Sequence, residues 1–302
     1  MKPIAPKTLP VKILIERGVL KKAGPLLSPP GGGARRFLLL SDLSDADPAL
    51  SSTLASLEKA GHTVVRLPEA PPFPADVDAI LAVGDGEALG RAIRFAGGDR
   101  PDLPLALVPT TLDAQLGFPF PAAPTLVLCD PSLPASESDR KRAVVGLIRY
   151  AVGFDRTLFD LLYTDFDFGA LLRRCLTIRC DLVDADKTEL LDLLGTVIGR
   201  AVGRAAGEDL APEDEIAIGL AAATRHALKT GYCRRDFLSE LVGLLTYHGL
   251  PNSALVTDGD LIAALRGEPR KGGEALLSLP RRLGECGLVP FDPADLVGLL
   301  PN

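Results

Sequence analysis

Three apolar runs constrain the fold of this chain more than any other feature of its sequence. They are Phe37–Leu40, Val77–Val83 and Leu105–Val108, and a single polar residue, Asp78, interrupts them. Strands that do not alternate between apolar and polar residues are buried on both faces, which is typical of a parallel sheet covered by helices. The first run leads through a helical pattern to another strand, so we expect right-handed βαβ connections. The sequence therefore predicts an N-terminal Rossmann-like α/β fold.

A change of pattern near Ser132 predicts a second domain. From there the apolar residues recur with helical spacing almost to the end of the chain. The chain has 302 residues, of which 47% are hydrophobic, and this is enough for two separate cores. We therefore expect a parallel-sheet nucleotide-binding domain over residues 1–131 and an α-helical domain over residues 132–302.

Composition removes several classes of function. The net charge is −6 and tryptophan is absent, so the chain lacks both a basic field for nucleic acid and a stacking platform for single strands. No apolar run is long enough to cross a bilayer, and residues 1–6 contain no signal-peptide pattern. Five scattered cysteines favour free thiols over disulfides. We expect a cytoplasmic protein that binds neither membrane nor nucleic acid.

Small and polar residues follow the predicted strands at their carboxyl ends. Asp42 follows the first run, Gly84 and Gly86 follow the second, and Thr110 with Thr111 follows the third. Open α/β sheets bind their ligands at this edge, and glycine turns let backbone N–H groups approach a phosphate. These five residues are our candidates for cofactor binding. A bare tight turn at the glycines and a capped turn at the threonines are the alternatives.

Residues Pro109-Thr-Thr-Leu-Asp-Ala-Gln115 resemble the Pro-Thr-Thr-Leu-Leu-Ala-Gln signature of 3-dehydroquinate synthases, which belong to the sugar phosphate cyclase family. Leu133-Pro134, Ile148-Arg149-Tyr150 and Gly249-Leu-Pro251 are also similar to segments of that family. The resemblance implies a dehydroquinate synthase-like fold, with a nucleotide-binding α/β domain followed by a helical domain. It also implies NAD, one divalent metal ion, a phosphorylated substrate, the shikimate pathway and a dimer.

The metal ligands of the family are a glutamate and two histidines, and the resemblance places none of them in this chain. The glutamate position falls on Gly146, or on Val144 in an alternative register. The first histidine position falls on Thr196, within a segment that keeps the family's glycines, and the second falls on Pro212. Glycine and proline side chains cannot coordinate zinc, and threonine is not among its usual ligands. We therefore expect no bound metal.

The sites for substrate and NAD are altered as well. The connector after Gln115 contains no lysine or arginine, whereas the resemblance implies cations there for a phosphorylated substrate. The resemblance implies three consecutive glycines at this turn, and Asp85 replaces the middle one. Its carboxylate would repel a pyrophosphate, so NAD binding is possible but opposed by charge. Arg149 and Arg200 are the candidate anion contacts. For Arg200 the alternative is a pair with the acidic run 213–215, or simple exposure to solvent.

The chain keeps segments that are similar to the family, but its metal-ligand and substrate-binding positions hold other residues. This combination leads to three hypotheses. The first is a dehydroquinate synthase-like pseudoenzyme with a binding or regulatory role, acting as a homodimer or with a related or pathway enzyme. The second is an NAD- or nucleotide-binding protein with other chemistry. The third is an active 3-dehydroquinate synthase whose ligand positions lie elsewhere in the sequence. A fold by itself does not decide among them.

Overall fold

The computed structural model describes residues 3–67, 73–117, 124–207, 210–267 and 275–300. The chain divides into two compact units. The first comprises residues 1–140 and 168–184, and the second comprises residues 141–167 and 185–302. The sequence prediction placed the division at 131/132. Part of the cation-free connector, residues 118–123, lies outside the described residues.

The first unit contains a six-stranded sheet in the described residues, with every neighbouring pair parallel. The strands are β1 (Lys12–Ile15), β2 (Arg36–Leu40), β3 (Thr63–Arg66), β4 (Ala79–Gly84), β5 (Leu105–Pro109) and β6 (Leu126–Cys129). Their order is β1-β6-β5-β4-β2-β3. The central strands β4 and β5 are buried throughout, as their uninterrupted apolar sequences predict.

Helices cover this sheet, and local sequence signals mark where they begin. They are α1 (Ala23–Leu27), α2 (Pro48–Lys59), α3 (Gly86–Gly98), α4 (Leu112–Gly117), the start of α5 (Glu137–Phe154) and α7 (Phe168–Asp184). The carboxylate of Asp47 accepts hydrogen bonds from two backbone N–H groups at the start of α2, and Pro48 occupies the first turn. Helix α7 belongs to this unit, and Asp184 at its end accepts hydrogen bonds from the backbone N–H groups of Lys7 and Thr8.

The second unit contains the remainder of α5, further helices and a β-hairpin. These elements are α6 (Arg156–Leu161), α8 (Thr188–Asp192), α9 (Thr196–Ala206), α10 (Pro212–Lys229), α11 (Arg235–Tyr247), α12 (Asp258–Arg266), β7 (Leu276–Arg282) and β8 (Glu285–Pro290). Strands β7 and β8 pair antiparallel. No helix in the described ranges is long and apolar enough to cross a membrane.

Helices α9 and α10 lie unusually close because glycines face each other across their contact. A Cβ atom on Gly199 would stand 2.4 Å from the carbonyl oxygen of Glu215, which is closer than real Cβ contacts. Gly195 precedes α9 with φ at +77°, a left-handed conformation that favours glycine. Helical structure is interrupted at Gly195. The segment from Leu190 onwards therefore belongs to two helices, α8 and α9, and does not form one continuous helix.

The fold prediction is confirmed: the chain combines a Rossmann-like parallel sheet with a mostly helical second unit. The βαβ connection from β2 through α2 to β3 is present as expected, with β3 at the edge of the sheet. The closing hairpin β7–β8 is the β element of the second unit.

Candidate functional site

The sheet of the first unit has a topological switch point between β2 and β4. The chain leaves β2 towards β3 on one side and leaves β4 towards β5 on the other, although β2 and β4 are neighbours. Ligands of open α/β sheets bind outside the carboxyl ends of the strands at such a point. Asp42 follows β2 there, and Gly84 and Gly86 border the turn after β4. Three of the five predicted cofactor residues therefore lie at the expected place.

An ion pair spans the carboxyl ends of these two strands. The guanidinium of Arg91, on α3, contacts the carboxylate of Asp42. This hydrogen bond is the largest cause of a raised pKa at Arg91, and the charges of Glu87 and Asp85 act in the same direction. Arg91 is thus already paired with a carboxylate at the switch point.

Asp85 occupies the helix terminus that would otherwise receive a phosphate. Its carboxylate accepts hydrogen bonds of 3.0 Å from the backbone N–H groups of Glu87 and Ala88, and so caps α3. Gly84 allows close packing of strand and helix, since a Cβ there would stand 2.6 Å from that of Ala88. Gly86 faces open space. An anion at this terminus would have to displace a carboxylate, so the turn does not fit a pyrophosphate.

Thr110 and Thr111 are half-buried at the end of β5. The backbone N–H of Thr110 donates to the carbonyl of Gly84 at 2.9 Å, which extends the β4–β5 ladder by one residue. The hydroxyl of Thr111 accepts a hydrogen bond from Ala114 N–H at 3.2 Å. Buried Asp139 accepts hydrogen bonds from the N–H groups of Leu112 and Asp113 at the start of α4. A second helix terminus at this edge is therefore also capped by a carboxylate.

The three predicted metal-ligand positions lie on α5, α9 and α10 of the second unit. Gly146 is within α5, Thr196 is the first residue of α9, and Pro212 is the first residue of α10. The hydroxyl of Thr196 donates to the carbonyl of Asp192 and so bonds to the preceding turn. Over the described part of the chain, no three histidine, cysteine or acidic side chains are grouped to hold a metal ion. The residues at these positions do not fit a zinc site.

An ion pair links α5 to α10, the helices that carry two of these positions. The Nε atom of Arg142 lies 3.5 Å from Oε2 of Glu213, whose side chain is only 5% exposed. Burial and the charge of Glu213 raise the pKa of the neighbouring Asp214, and Lys141 opposes that shift. The charges in this region therefore belong to an ion-pair network between two helices.

Arg149, a candidate anion contact, is engaged with the backbone. Its Nε atom donates to the carbonyl of Leu194 at 3.0 Å, and its Nη2 atom donates to the carbonyl of Leu191. Leu191 lies near the end of α8 and Leu194 lies just beyond it, and the carbonyl of Leu191 also accepts a hydrogen bond from the N–H of Leu194 at 3.2 Å. The guanidinium therefore links α5 to the segment between α8 and α9, so Arg149 has a structural role here.

Arg200, the other candidate, is exposed on α9. Burial raises the pKa of Glu215, while the charges of Arg204 and Arg200 oppose this rise. The Glu215 side chain covers Gly203, since a Cβ there would stand 2.0 Å from its Oε1 atom. Arg200 therefore lies within electrostatic reach of an acidic residue of α10.

The side chains of His62 and His248 contact backbone groups, whereas Nδ1 of His226 is buried without a hydrogen-bond partner among the described residues. In the first unit, Nδ1 of buried His62 accepts a hydrogen bond from Arg35 N–H at 2.9 Å, and Nε2 lies 3.0 Å from the carbonyl of Gly24. In the second unit, His226 is buried within α10 and Nε2 of His248 lies 2.9 Å from the carbonyl of Leu162. Burial lowers the pKa of both His226 and His248.

Comparison with protein-family models gave no match. Comparison with curated proteins found 3-dehydroquinate synthases. That of Pyrobaculum islandicum is 27% identical over 245 residues, covering 68% of this chain and 70% of the relative. That of Pelobacter propionicus is 28% identical over 258 residues, covering 73% and 71%. The chain is dehydroquinate synthase-like.

Solved structures of sugar phosphate cyclases share the fold of this dehydroquinate synthase-like chain. A 2-deoxy-scyllo-inosose synthase complexed with carbaglucose-6-phosphate, NAD+ and Co2+ superposes with a TM-score of 0.79 at 16% identity, covering 98% of this chain and 97% of that one. The 2-epi-5-epi-valiolone synthase of Streptomyces hygroscopicus, with NAD+ and Zn2+ bound, gives 0.73 at 19% identity, covering 98% and 96%. The ligands named belong to those proteins.

Three residues that shape these regions, Arg91, Asp139 and Arg142, were missed by the sequence analysis. Arg91 and Asp139 act at the sheet edge, and Arg142 pairs with Glu213 between helices. Arg91 lies one helical turn after Glu87, which is a visible local signal for an ion pair. The partners of Asp139 and Arg142 are far away in sequence, so nothing local reveals them.

Proposed function

We propose that this dehydroquinate synthase-like chain lacks metal-dependent cyclase activity and acts by binding, as a homodimer or with a related or pathway enzyme. The observation that carries the proposal is the ion pair between Arg142 and Glu213. It joins α5 to α10, the helices whose metal-ligand positions hold Gly146 and Pro212. The resemblance implies that a metal ion links these two helices, and in this chain an ion pair between protein side chains joins the same two helices.

The chemistry of the relatives explains why this substitution matters. A divalent ion acts as a Lewis acid and orients oxygen atoms of the substrate, which contributes several kcal/mol to stabilisation of the transition state. Removing it lowers the rate by a factor of about 10³ or more. Neither Arg142 nor Lys141 replaces that role, because a guanidinium or ammonium group cannot exchange a ligand for a substrate oxygen.

The dinucleotide site supports the same proposal. Asp42 and Asp85 place two carboxylates at the switch point, where Arg91 pairs directly with Asp42 and lies within electrostatic reach of Asp85. An NAD pyrophosphate at the start of α3 would approach the exposed carboxylate of Asp85, and like charges repel each other. Weak or undetectable NAD binding is the result that we expect.

The experiment is a direct assay. The purified protein is incubated with NAD, zinc or cobalt ions and the phosphorylated seven-carbon acid used by 3-dehydroquinate synthases, and phosphate release is followed. The Pyrobaculum islandicum synthase is the positive control under identical conditions. We expect no release above background. Turnover at an enzyme-like rate that a chelator abolishes would overturn the proposal.

A second candidate function is nucleotide binding without cyclase chemistry. Gly86 faces open space beside the switch point, and Thr110, which follows the neighbouring strand β5, donates its backbone N–H to the carbonyl of Gly84. A thermal-shift panel of adenine nucleotides tests this candidate, since a ligand that binds only the folded state raises the unfolding temperature. No stabilisation at millimolar concentration would rule it out.

The proposed binding role requires an assembly, so the oligomeric state is its second test. Size-exclusion chromatography with light scattering measures the mass of the purified chain directly. A dimer of this 31.8 kDa chain, or a stable complex with a relative from the same cell, is the expected result. A monomer that forms no complex with any pathway enzyme would contradict it.

A further inference from the structure

A polar cavity in the second unit contains none of the predicted site residues. Its volume is about 560 Å³, which is within the usual range for small-molecule sites. The start of α6, the α10–α11 connection and the tip of the β7–β8 hairpin form its walls. Arginines from all three walls line it, namely Arg156, Arg234, Arg281 and Arg282.

Glycines hold these walls in place. Gly284, at the hairpin tip, has φ at +81°, and its N–H donates to the carbonyl of Val152 at 3.0 Å. A Cβ there would stand 2.8 Å from the backbone nitrogen of Arg156. On β8, a Cβ on Gly287 would stand 2.4 Å from the hydroxyl of Tyr232. The hairpin therefore packs directly against α6 and against Tyr232.

Two of the four arginines share a single carboxylate partner. Arg281 and Arg282 both contact Glu285, at 3.4 and 2.6 Å, so one carboxylate serves two guanidinium groups. The guanidinium of Arg281 also lies over the ring of Tyr232, 5.5 Å from its centroid. Such stacking holds the planar group in a fixed orientation, which lowers the entropy lost when it binds an anion.

The other two arginines are available. Arg156 and Arg234 are exposed, and neither has a carboxylate within 4.0 Å among the residues that the structure describes. The acidic residues lining the cavity are Asp236 and Glu240. With Glu285 included, four positive charges face three negative ones, on a chain whose net charge is −6. The residues around this cavity therefore carry a net positive charge, whereas the net charge of the whole chain is negative.

We propose that this cavity binds a small molecule bearing a phosphate group, with Arg156 and Arg234 as the principal contacts. Guanidinium groups match the geometry of phosphate oxygens and form charge-assisted hydrogen bonds to them. A dianionic phosphate satisfies two unpaired arginines at once, whereas a single carboxylate carries half that charge. Tyr232 also lines the cavity, with the guanidinium of Arg281 over its ring. The proposal is independent of the pseudoenzyme assignment, because it involves none of the metal or NAD positions.

The test uses isothermal titration calorimetry on the full chain with inorganic phosphate, pyrophosphate and ribose 5-phosphate as probes. The variants are Arg156→Gln and Arg234→Gln, whose exposed side chains make substitution compatible with folding. Arg235→Gln is the matched control, since Arg235 is the exposed neighbour of Arg234 and does not line the cavity. Glu240→Gln is a variant with an expected effect of opposite sign.

We expect saturable binding of at least one probe by the unmodified chain. Each of Arg156→Gln and Arg234→Gln weakens it by at least about tenfold, because each removes charge-assisted hydrogen bonds. Glu240→Gln strengthens it about two- to fivefold by removing a repulsive charge, and Arg235→Gln leaves it nearly unchanged. Equal loss in Arg235→Gln and Arg234→Gln would mean a diffuse charge effect and would overturn the proposal. So would the absence of binding by all three probes.

Discussion

Gly219 of α10 lies so close to Gly195 that a Cβ atom on Gly219 would stand 1.9 Å from the carbonyl oxygen of Gly195. The same Cβ would stand 2.6 Å from the backbone nitrogen of Gly199. Both neighbours are backbone atoms and cannot rotate away. Gly195 and Gly199, which this chain shares with the 3-dehydroquinate synthase segment around Thr196, are therefore required for helix packing, whether or not a metal is bound.

Substituting Gly219 with alanine should destabilise the second unit. The added methyl group forces α9 and α10 apart, at a cost of about 1–3 kcal/mol or more. Chemical denaturation monitored by circular dichroism measures the loss. Gly90→Ala is the matched control: its Cβ would meet only Arg94 Nη1, at 3.5 Å, and alanine favours a helix more than glycine does. Equal stability of the Gly219→Ala variant and the unmodified chain would contradict this packing.

Substituting Asp85 with asparagine should improve binding of NAD or pyrophosphate. Asparagine caps a helix about as well as aspartate, so the structure of the turn is retained while its charge is removed. Calorimetric titration of both proteins with NAD measures the change. Asp47→Asn at the start of α2 is the control, because it makes the same change at a cap that does not lie at the switch point. Unchanged affinity would show that the charge of Asp85 is not what opposes the dinucleotide.

Removing Arg142 should destabilise the second unit more than removing an arginine of an exposed ion pair. Glu213 would stay buried without its ion pair to Arg142, and the cost is about 1–2 kcal/mol once the 45% exposure of the Arg142 side chain is considered. Arg142→Gln, Glu213→Gln and the double variant form a mutant cycle. In Arg36→Gln, which breaks an exposed pair with Asp76, we expect a loss below about 1 kcal/mol. Additive effects in the cycle would show that Arg142 and Glu213 are not coupled.

The contribution of His226 and His248 to stability should fall as the pH falls from 7 towards 5. Burial lowers the pKa of His226 and His248, while Asp295 opposes and Lys229 reinforces this shift at His226. Below the ordinary histidine pKa of about 6.5 the unfolded chain therefore binds more protons than the folded chain, which favours unfolding. Urea titrations across this range measure the slope, and His226→Gln should flatten it. An unchanged slope in that variant would mean that His226 is not a source of the effect.

The apolar strands could be read from sequence because burial on both faces leaves a pattern in consecutive residues. The role of Asp85 was only half visible: its charge was recognised, but its capping of α3 was not, although an aspartate directly before a helix favours such a cap. The bonds of Arg149 to Leu191 and Leu194 could not be foreseen, because they join residues more than 40 positions apart. The break between α8 and α9 depends on the left-handed conformation of Gly195, which a helical apolar pattern conceals.

The measurement that tests the central claim most directly is the metal content and NAD affinity of one purified sample, by elemental analysis and calorimetry. Gly146, Thr196 and Pro212 at the ligand positions and Asp85 at the dinucleotide turn predict substoichiometric metal and no NAD binding at micromolar concentration. The unfolding temperature should also be unaffected by a chelator. Stoichiometric zinc together with micromolar NAD affinity would contradict the account and restore cyclase chemistry as the function.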